Sequence, residues 1–376
     1  MKCEWITCEL GKLLTFQRGY DLPRTSMVEG RYPVIGSNGI IGYHNEYTTE
    51  APSVSIGRSG NVGKPFIYYG RTWSHNTTLY VKDFKDSDPV FIFYLLKSLD
   101  LGNFAGGSAV PTLNRNHIHN LNVFVPKNKI DQRRIGSCLK LFDDKIELNN
   151  KINANLEQQA QALFKAWFVD FEPFGGKMPE DWSESSLAGI AHYLNGLAMQ
   201  KYRPRGEDGS IPVLKIKELR QGHWDAASDR CSAKIPSEYI IHDGDVIFSW
   251  SGSLLVDFWC GGKCGLNQHL FKVTSSHYDT WFFYSWTKYH LARFIAIAAD
   301  KATTMGHIKR DALEDAKVLI PSEWDYQMLG NILAPMYRKI VCNRIENRKL
   351  ARLRDMLLQR LMSGEIGVSD ISFPKL

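Results

Sequence analysis

The stretch that decides the fold is DQRRIGSCLKLFDDKIELNNKINANLEQQAQALFKAWF, residues 131–168. Its apolar residues recur at alternating steps of four and three once two asparagines are included in the series. This heptad pattern is typical of long helices that wind around each other. The predicted seam of this helix contains Ile135, Leu139, Phe142, Ile146, Asn149, Asn153, Leu156, Leu163 and Trp167.

The same pattern returns 194 positions later, in residues 325–362 (329 − 135 = 194). Identical residues recur at this offset, and they include both asparagines, which become Asn343 and Asn347. Asparagines that interrupt two apolar seams at equivalent positions indicate an internal repeat. The second predicted seam contains Leu329, Leu333, Met336, Ile340, Asn343, Asn347, Leu350, Leu357 and Leu361.

Neither helix can bury its seam alone, so the two are expected to pair with each other. The chain between them returns to the start of the second helix, which favours an antiparallel pair. Asn149 and Asn153 would then face Asn347 and Asn343 and fix the register, as buried polar seam residues do. Pro335 is expected to kink or delay the second helix, because proline lacks the amide hydrogen of the helix ladder.

Composition describes an ordinary globular chain. Its 376 residues are 44% hydrophobic and 23% charged, with a net charge of +6. A mildly basic balance is compatible with nucleic acid without proving it. Seven scattered cysteines predict reduced thiols, and the first residues lack the apolar core of a signal peptide. We therefore expect a cytoplasmic protein without a membrane span.

Two globular segments flank the first helix. Residues 1–128 contain short β-rich runs at 32–35, 53–56, 66–69, 78–81 and 121–125, with a short helix at 89–99. Residues 183–322 repeat this plan, with strands at 211–216, 245–250, 270–273 and 317–320 and a helix at 280–299. The long helices are assigned to 129–170 and, with a tail, to 323–376. Residues 171–182 are rich in proline and glycine and predict a linker.

The predicted fold class is α+β, with two mixed α/β globular domains separated by two long antiparallel coiled-coil helices in a pseudo-twofold tandem repeat. A helix of 38 residues spans roughly 55 Å, so it is expected to bridge two bodies.

The motifs expected of a catalyst are incomplete or absent in this sequence. Residues 57–65, GRSGNVGKP, resemble a phosphate-binding loop but have one residue too many, and Pro65 stands where Ser or Thr would hold magnesium. Cys260 and Cys264 have no second ligand pair at zinc-finger spacing. No catalytic or metal residue is assigned, and the sequence favours a binding protein.

Loops in both globular segments carry residue types that suit base edges and phosphates. The DNA-binding candidates of the first segment are Arg18, Tyr20, Arg24, Asn38, His44, Arg58, Ser59, Asn61, Lys64, His75 and Asn76. Those of the second are Lys201, Tyr202, Arg203, Arg205, Lys215, Trp250, Ser251, Lys263, Asn267, Gln268, His269, Thr304, His307 and Lys309. The alternative is structural: Trp73, Trp224 and Trp250 also suit a core, and glycine neighbours also suit plain turns.

The second helix is rich in arginine and lysine. A solvated face explains this as simply as a surface for phosphates or an acidic partner. Arg354 interrupts the apolar seam and is expected to reach outward to solvent.

As a set, these features resemble the specificity subunit of a type I restriction-modification enzyme. The resemblance covers nearly the whole chain and includes local sequences in both halves. They are IGSNGI (35–40), GYHNEY (42–47), IGRSG (56–60), LFKAWFVDF (163–171), WSG (250–252), GLNQHL (265–270) and LLQRLMSGEI (357–366).

The resemblance implies that each globular domain is a target recognition domain for one half of a split double-stranded DNA sequence. It implies that the helix pair sets the spacer and docks two methyltransferase (modification) subunits, which restriction (motor and nuclease) subunits join. No cofactor is expected in this chain, and S-adenosylmethionine, ATP and Mg are expected in the partner subunits. A scaffold protein with a merely structural helix pair, or an enzyme with an unrecognised site, remains an alternative.

Overall fold

The structure, a computed structural model, describes residues 3–106, 111–206, 208–300 and 310–367. The chain divides into two compact units, and each unit contains one globular domain and one end of each long helix. The first unit is Met1–Lys145 with Leu350–Leu376, and the second is Ile146–Lys349.

The first part of the chain is mainly β-structure. Its strands are β1 (Trp5–Glu9), β2 (Thr15–Arg18), β3 (Tyr32–Gly36), β4 (Gly39–His44), β5 (Ser53–Gly57), β6 (Pro65–Tyr68), β7 (Trp73–Ser74), β8 (Thr78–Asp83) and β9 (Asn122–Pro126). Its helices are α1 (Pro89–Ser98), α2 (Arg115–His119) and the long α3 (Lys129–Phe168).

The remainder repeats this order. Its strands are β10 (Ser183–Ser186), β11 (His192–Asn195), β12 (Ser210–Leu214), β13 (Arg230–Ser232), β14 (Ile240–Ile241), β15 (Val246–Ser249), β16 (Leu255–Phe258), β17 (Cys264–Leu266), β18 (Leu270–Thr274) and β19 (Lys317–Ile320). Its helices are α4 (Leu187–Ile190), α5 (Ile216–Gln221), α6 (Thr280–Asp300), α7 (Asp311–Glu314) and the long α8 (Glu323–Met362).

The two globular domains share one topology. A four-stranded sheet has the order β2-β8-β5-β6 in the first and β11-β18-β15-β16 in the second. Each domain also has one parallel pair, β3 with β7 and β12 with β17. A two-stranded pair of its first and last strands, β1-β9 or β10-β19, completes each domain. The predicted α/β repeat is confirmed at the level of strand order.

Both long helices begin with the same side-chain cap. Asn128 Oδ1 accepts from the Asp131 amide at 2.8 Å, and Asn128 Nδ2 donates to the Asp131 carboxylate at 2.7 Å. At the second helix Ser322 Oγ donates to Asp325 Oδ2 at 2.8 Å and accepts from the Asp325 amide at 3.3 Å. Such reciprocal caps satisfy backbone groups that the first turn leaves unpaired. Asp131 therefore supports the first turn, and the capping residue itself is Asn128.

The two helices pair antiparallel within the second unit. Asn149 Nδ2 donates to Asn347 Oδ1 at 2.8 Å, and Asn343 Nδ2 donates to Asn153 Oδ1 at 2.8 Å. These are the amide pairs predicted from the sequence. Asn149, Asn153 and Asn343 are buried, so their amides meet in two polar layers of an otherwise apolar seam.

Within the first unit the same pairing includes an ion pair. Arg354 Nη1 contacts Asp143 Oδ1, and the arginine side chain is only 14% exposed. The expectation that Arg354 reaches outward to solvent is therefore wrong. An arginine side chain that is largely buried between two helices needs a carboxylate partner, and Asp143 on α3 is that partner.

The buried face of each helix is wider than the heptad seam. No predicted seam residue is exposed, yet Phe164 and Phe168 on α3 and Leu358 and Met362 on α8 are buried outside the series. These extra residues belong to the cores of the globular domains. A helix that packs on a second helix and on a domain needs an apolar stripe broader than two positions per heptad.

Two local predictions need correction. Of the two effects expected of Pro335, the delay is wrong, since α8 begins at Glu323 and passes through the proline. Proline removes one helix hydrogen bond, and the carbonyl of the exposed Asn331 can turn to water instead. The strand expected at 211–216 ends at Leu214, and Ile216 starts α5, where Glu218 accepts from the Lys215 amide at 3.2 Å.

Asp325→Ala should destabilise the protein by about 2–4 kcal/mol, because it removes the carboxylate that binds the capping Ser322 and leaves a buried indole without its acceptor. Trp182 Nε1 donates to Asp325 Oδ2 at 2.9 Å, and Trp182 is buried. The matched variant is Asp131→Ala at the start of α3. It removes the carboxylate that binds the capping Asn128 and its ion pair with Arg134, involves no indole, and should cost about 1 kcal/mol. Urea unfolding measures both, and equal losses would show that the indole contact contributes nothing.

Candidate nucleic-acid interface

Loops from four strands meet at one end of the first domain. The Tyr20 amide donates to the Ser74 carbonyl at 2.8 Å, and the His75 amide donates to the Ile35 carbonyl at 2.9 Å. The Arg58 amide donates to the Thr77 carbonyl at 2.8 Å. We call residues 18–20, 37–38, 58–61 and 75–77 the first loop edge. It brings together eight of the predicted DNA-binding residues from four separate places in the sequence.

Glycine at position 19 is what lets two of these segments approach. A Cβ on Gly19 would lie 2.2 Å from the His75 carbonyl oxygen and 2.5 Å from that of Ser74. Only a residue without a side chain fits there. The close approach aligns Tyr20 with His75 in a parallel bridge.

Side chains of the first loop edge are partly tied to each other. Asp21 accepts from Asn76 Nδ2 and lies 4.0 Å from Arg18. Gln17 Nε2 donates to the Tyr20 hydroxyl at 2.8 Å. Burial lowers the pKa of His75, whose Nδ1 lies 3.0 Å from Thr77 Oγ1. A neutral imidazole has one donor and one acceptor nitrogen, so it can offer hydrogen bonds of either kind.

The second domain builds its own loop edge with the same backbone contacts. The Leu197 amide donates to the Leu266 carbonyl at 2.9 Å, and the Asn267 amide donates to the Leu214 carbonyl at 3.2 Å. A Cβ on Gly196 would lie 2.2 Å from the Asn267 carbonyl oxygen, the same close approach as at Gly19. We call residues 195–197, 215, 250–251 and 267–269 the second loop edge.

The side chains at this second edge differ from those at the first. Trp250 Nε1 donates to Asn195 Oδ1 at 3.1 Å, and Ser251 Oγ lies 3.1 Å from His269 Nδ1. A cleft of about 400 Å³ opens beside Asn267, with basic, amide and apolar walls. Its lining is Met199, Gln200, Arg203, Pro204, Val213, Lys215, Asp229, Arg230 and Asn267. One domain topology thus carries two different sets of surface groups.

The carboxylate in this cleft is paired. Lys215 Nζ contacts Asp229 Oδ2, and this hydrogen bond together with the charges of Lys215 and Arg203 lowers the pKa of Asp229. Arg230 is held by Ser210, whose hydroxyl and carbonyl oxygens accept from its guanidinium at 2.7 and 2.8 Å. The cleft therefore has more cationic than anionic groups.

The predicted DNA-binding residues differ in exposure. Exposed are Arg18, Tyr20, Arg24, Asn38, Lys64, Lys201, Arg203, Arg205 and Lys263. Half-buried are Arg58, Ser59, Asn61, His75, Asn76, Tyr202, Lys215, Trp250, Gln268 and His269. Buried are His44, Ser251 and Asn267. Thr304, His307 and Lys309 lie outside the residues that the structure describes.

Eight of the described candidates lie outside the residue ranges of the two loop edges. They are Arg24, His44, Lys64, Lys201, Tyr202, Arg203, Arg205 and Lys263, and of these Arg203 lines the cleft beside Asn267. His44 pairs with Tyr32 at the start of β3, whereas the edge lies at the end of that strand. It is buried, and its Nδ1 accepts from the Val28 amide at 3.1 Å. Lys263 precedes β17 beside Gly262, next to Arg348 of α8, whereas the edge follows the end of β17. The prediction placed His44 and Lys263 in the DNA interface because residues near them in the sequence lie at the edges.

The sequence did not predict several polar groups in or beside the edges. Asp21 and Asp229 were not predicted because they are acidic, whereas basic and amide residues were the expected DNA contacts. Arg230 lies on β13, which no predicted strand covered. Trp224 suits a core better than a base contact by its residue type, but it is 42% exposed, so the core interpretation is wrong for this residue. Its Nε1 donates to the Gly261 carbonyl.

In the described ranges, no cluster of three or more His, Cys, Asp or Glu side chains is arranged to hold a metal ion. Among the described helices none has both the length and the apolarity of a membrane span.

Comparison with known proteins gives one consistent result. The sequence matches the family described as type I restriction modification DNA specificity domain over residues 3–158 and 179–353. It is 27% identical to the type I restriction enzyme MjaIX specificity subunit of Methanocaldococcus jannaschii over 305 residues, 75% of this chain and 70% of the relative. It is 21% identical to the HindI specificity subunit of Haemophilus influenzae over 356 residues, 74% of this chain and 77% of the relative.

A solved structure with a similar fold is the S subunit of a type I restriction-modification system from M. genitalium. The TM-score is 0.61 at 16% identity, and the match covers 100% of this chain and 97% of that one. At this identity the likeness concerns the fold alone.

Proposed function

Because the chain belongs to the type I restriction-modification DNA specificity family, with two tandem specificity domains, we propose that its two loop edges each read one half of a split DNA target. The family consists of recognition subunits that do not themselves catalyse. The observation that carries the proposal is that one topology, repeated twice, presents two different sets of polar side chains at the same place.

The boundaries of the two readers follow from the sequence repeat. The first target recognition domain is residues 1–128 and the second is 183–322, with helices at 129–170 and 323–376 and a connector at 171–182. The connector is packed by its aromatic residues, since the ring of Phe174 lies 5.4 Å from that of Trp167 and 5.3 Å from that of Trp182. A packed connector suits a reader that is held in one orientation.

The residues of the edges take different roles. Exposed cations such as Arg18 of the first edge and Arg203 of the cleft beside the second edge suit phosphates, which fix position without reading sequence. Half-buried amide and imidazole groups such as Asn76, Gln268 and His269 suit base edges in the major groove. Buried Ser251 and Asn267 hold the shape of the second edge, and the cleft beside Asn267 receives part of the DNA.

The helix pair sets the spacer between the two half-sites and docks two methyltransferase (modification) subunits, to which restriction (motor and nuclease) subunits are added. S-adenosylmethionine, ATP and Mg belong to those partners. Exposed Arg338, Lys339, Lys349 and Arg352 on α8 are free for an acidic partner surface or DNA phosphates as far as the described residues show. The complex works on cytoplasmic DNA.

Binding to DNA should depend steeply on salt, because contacts to phosphates release counterions. We expect the chain, assembled with its modification subunits, to lose about 10³-fold in affinity between 50 and 200 mM salt if it makes some six phosphate contacts. Fluorescence anisotropy with oligonucleotides selected from a random pool measures this. Affinity that is indifferent to salt and to sequence would favour the scaffold alternative instead.

A further inference from the structure

The asparagine pairs of the helix pair fix its register but do not by themselves distinguish α3 from α8. Asn149 faces Asn347 and Asn153 faces Asn343. The repeat places asparagine at the same two seam positions of both helices, at the offset of 194. If α3 paired antiparallel with a second copy of α3, Asn149 would face Asn153 and the asparagine pairs would form again. Asn149 would lose only its second acceptor, Glu346 at 2.8 Å, because Ile152 stands at that position of α3.

The charged contact in the first unit breaks this equivalence. Asp143 on α3 meets Arg354 on α8. The Tyr94 hydroxyl of α1 donates to the second carboxylate oxygen at 2.6 Å. Asp355 also accepts from the Arg354 guanidinium, at 2.7 and 2.9 Å. Asp143 and Arg354 are 31% and 14% exposed, so neither charge is fully solvated.

The equivalent place in the second unit is neutral. Tyr337 lies 194 positions after Asp143, and Ala160 lies 194 positions before Arg354. Both are buried in one core cluster. Ser285, the sixth residue of α6 as Tyr94 is of α1, lies with its Oγ 3.0 Å from the Tyr337 hydroxyl. The second unit thus has a large and a small neutral residue at the two positions where the first unit has opposite charges.

The difference between the two units affects how two identical helices would pair. In the same register, α3 against another α3 sets Asp143 opposite Ala160, and α8 against another α8 sets Arg354 opposite Tyr337. Asp143 then loses its cationic partner, and Arg354 keeps only Asp355 of its own helix, while both stay partly desolvated, which is unfavourable. Only the pairing of α3 with α8 joins the charges of Asp143 and Arg354.

We propose that the Asp143–Arg354 contact, supported by Tyr94, makes the surface of α3 accept α8 and reject a second copy of α3. The asparagine pairs set the register, and the charge pair adds the choice of partner. Such a device combines an attractive contact in the right complex with an uncompensated charge in the wrong one.

The test makes α3 of one full-length chain pair with α8 of a second full-length chain. Arg354→Asp in one copy and Asp143→Arg in another, with different tags, put like charges in each chain alone. Between the two chains both contacts join opposite charges again. Co-expression should therefore increase the tagged heterodimer about tenfold or more over two tagged wild-type chains, since unpaired partly buried charges are costly. The double variant Asp143→Arg with Arg354→Asp should remain a monomer with native circular dichroism.

Pull-down through one tag and light scattering give the readout. The proposal is overturned if the co-expressed single variants form no more heterodimer than two wild-type chains. It is also overturned if the double variant does not form a monomer. Lys82→Asp, at an exposed position of β8, is the matched charge-reversal control and should leave pairing unchanged.

Discussion

Gly19→Ala should abolish recognition of one half of the DNA target. The added methyl group would lie 2.2 Å from the His75 carbonyl oxygen, so β2 and the turn after β7 must separate. That separation breaks the hydrogen bond from the Tyr20 amide to the Ser74 carbonyl and displaces His75 and Asn76. Affinity for the cognate site should fall by about 10³-fold, while the preference for the half read by the second domain remains.

The matched control for this variant is Gly70→Ala in the same domain. A Cβ at Gly70 meets no atom within 4 Å, so binding should match wild type. Gly196→Ala is the equivalent change in the second domain, where the methyl group would lie 2.2 Å from the Asn267 carbonyl oxygen. It should damage recognition of the other half. Binding by Gly19→Ala at wild-type affinity would show that the first loop edge does not contact the target.

Replacing residues 1–128 with the first domain of another specificity subunit should exchange one half of the target and leave the other half intact. The physical reason is that the cores of the two domains are separate clusters, so the fold of each edge depends on its own domain. Methylation of the original site should fall to background, and a hybrid site should appear. Sequencing of methylated DNA from cells that carry the complete system measures both.

The same sequencing of methylated DNA provides the control for the domain replacement. Exchanging the domain for its own coding sequence with silent changes should leave the motif unaltered. Should both halves of the motif change together, the two domains would not read independently, and the assignment of one edge to each half-site would fail.

The helix pair was predictable because its pattern is periodic and occurs twice. Identical residues at an offset of 194 locate both helices, and aligned asparagines give the register. The width of the buried face was not predictable, since Phe164 and Leu358 are buried against the globular domains and not in the seam. A heptad describes contact with one neighbour, whereas these helices have two.

The loop edges were predictable by residue type but not by position. Arg58 and Thr77 are distant in sequence and meet because β5 pairs with β8. His44 and Lys263 are polar residues like those of the edges but lie at the opposite ends of their strands. Which end of a strand carries a residue depends on strand direction in the sheet, which a single sequence does not reveal. Asp21 and Asp229 were missed because an acid beside DNA is unexpected until its cationic partner is located.

The most direct measurement is a map of methylated adenines in DNA from cells that carry the complete wild-type system. Two readers in one chain predict a motif of two defined blocks separated by a fixed number of unspecified bases. Gly19→Ala and Gly196→Ala should each lose discrimination in a different block. A single continuous motif, or two variants that affect the same block, would contradict the account.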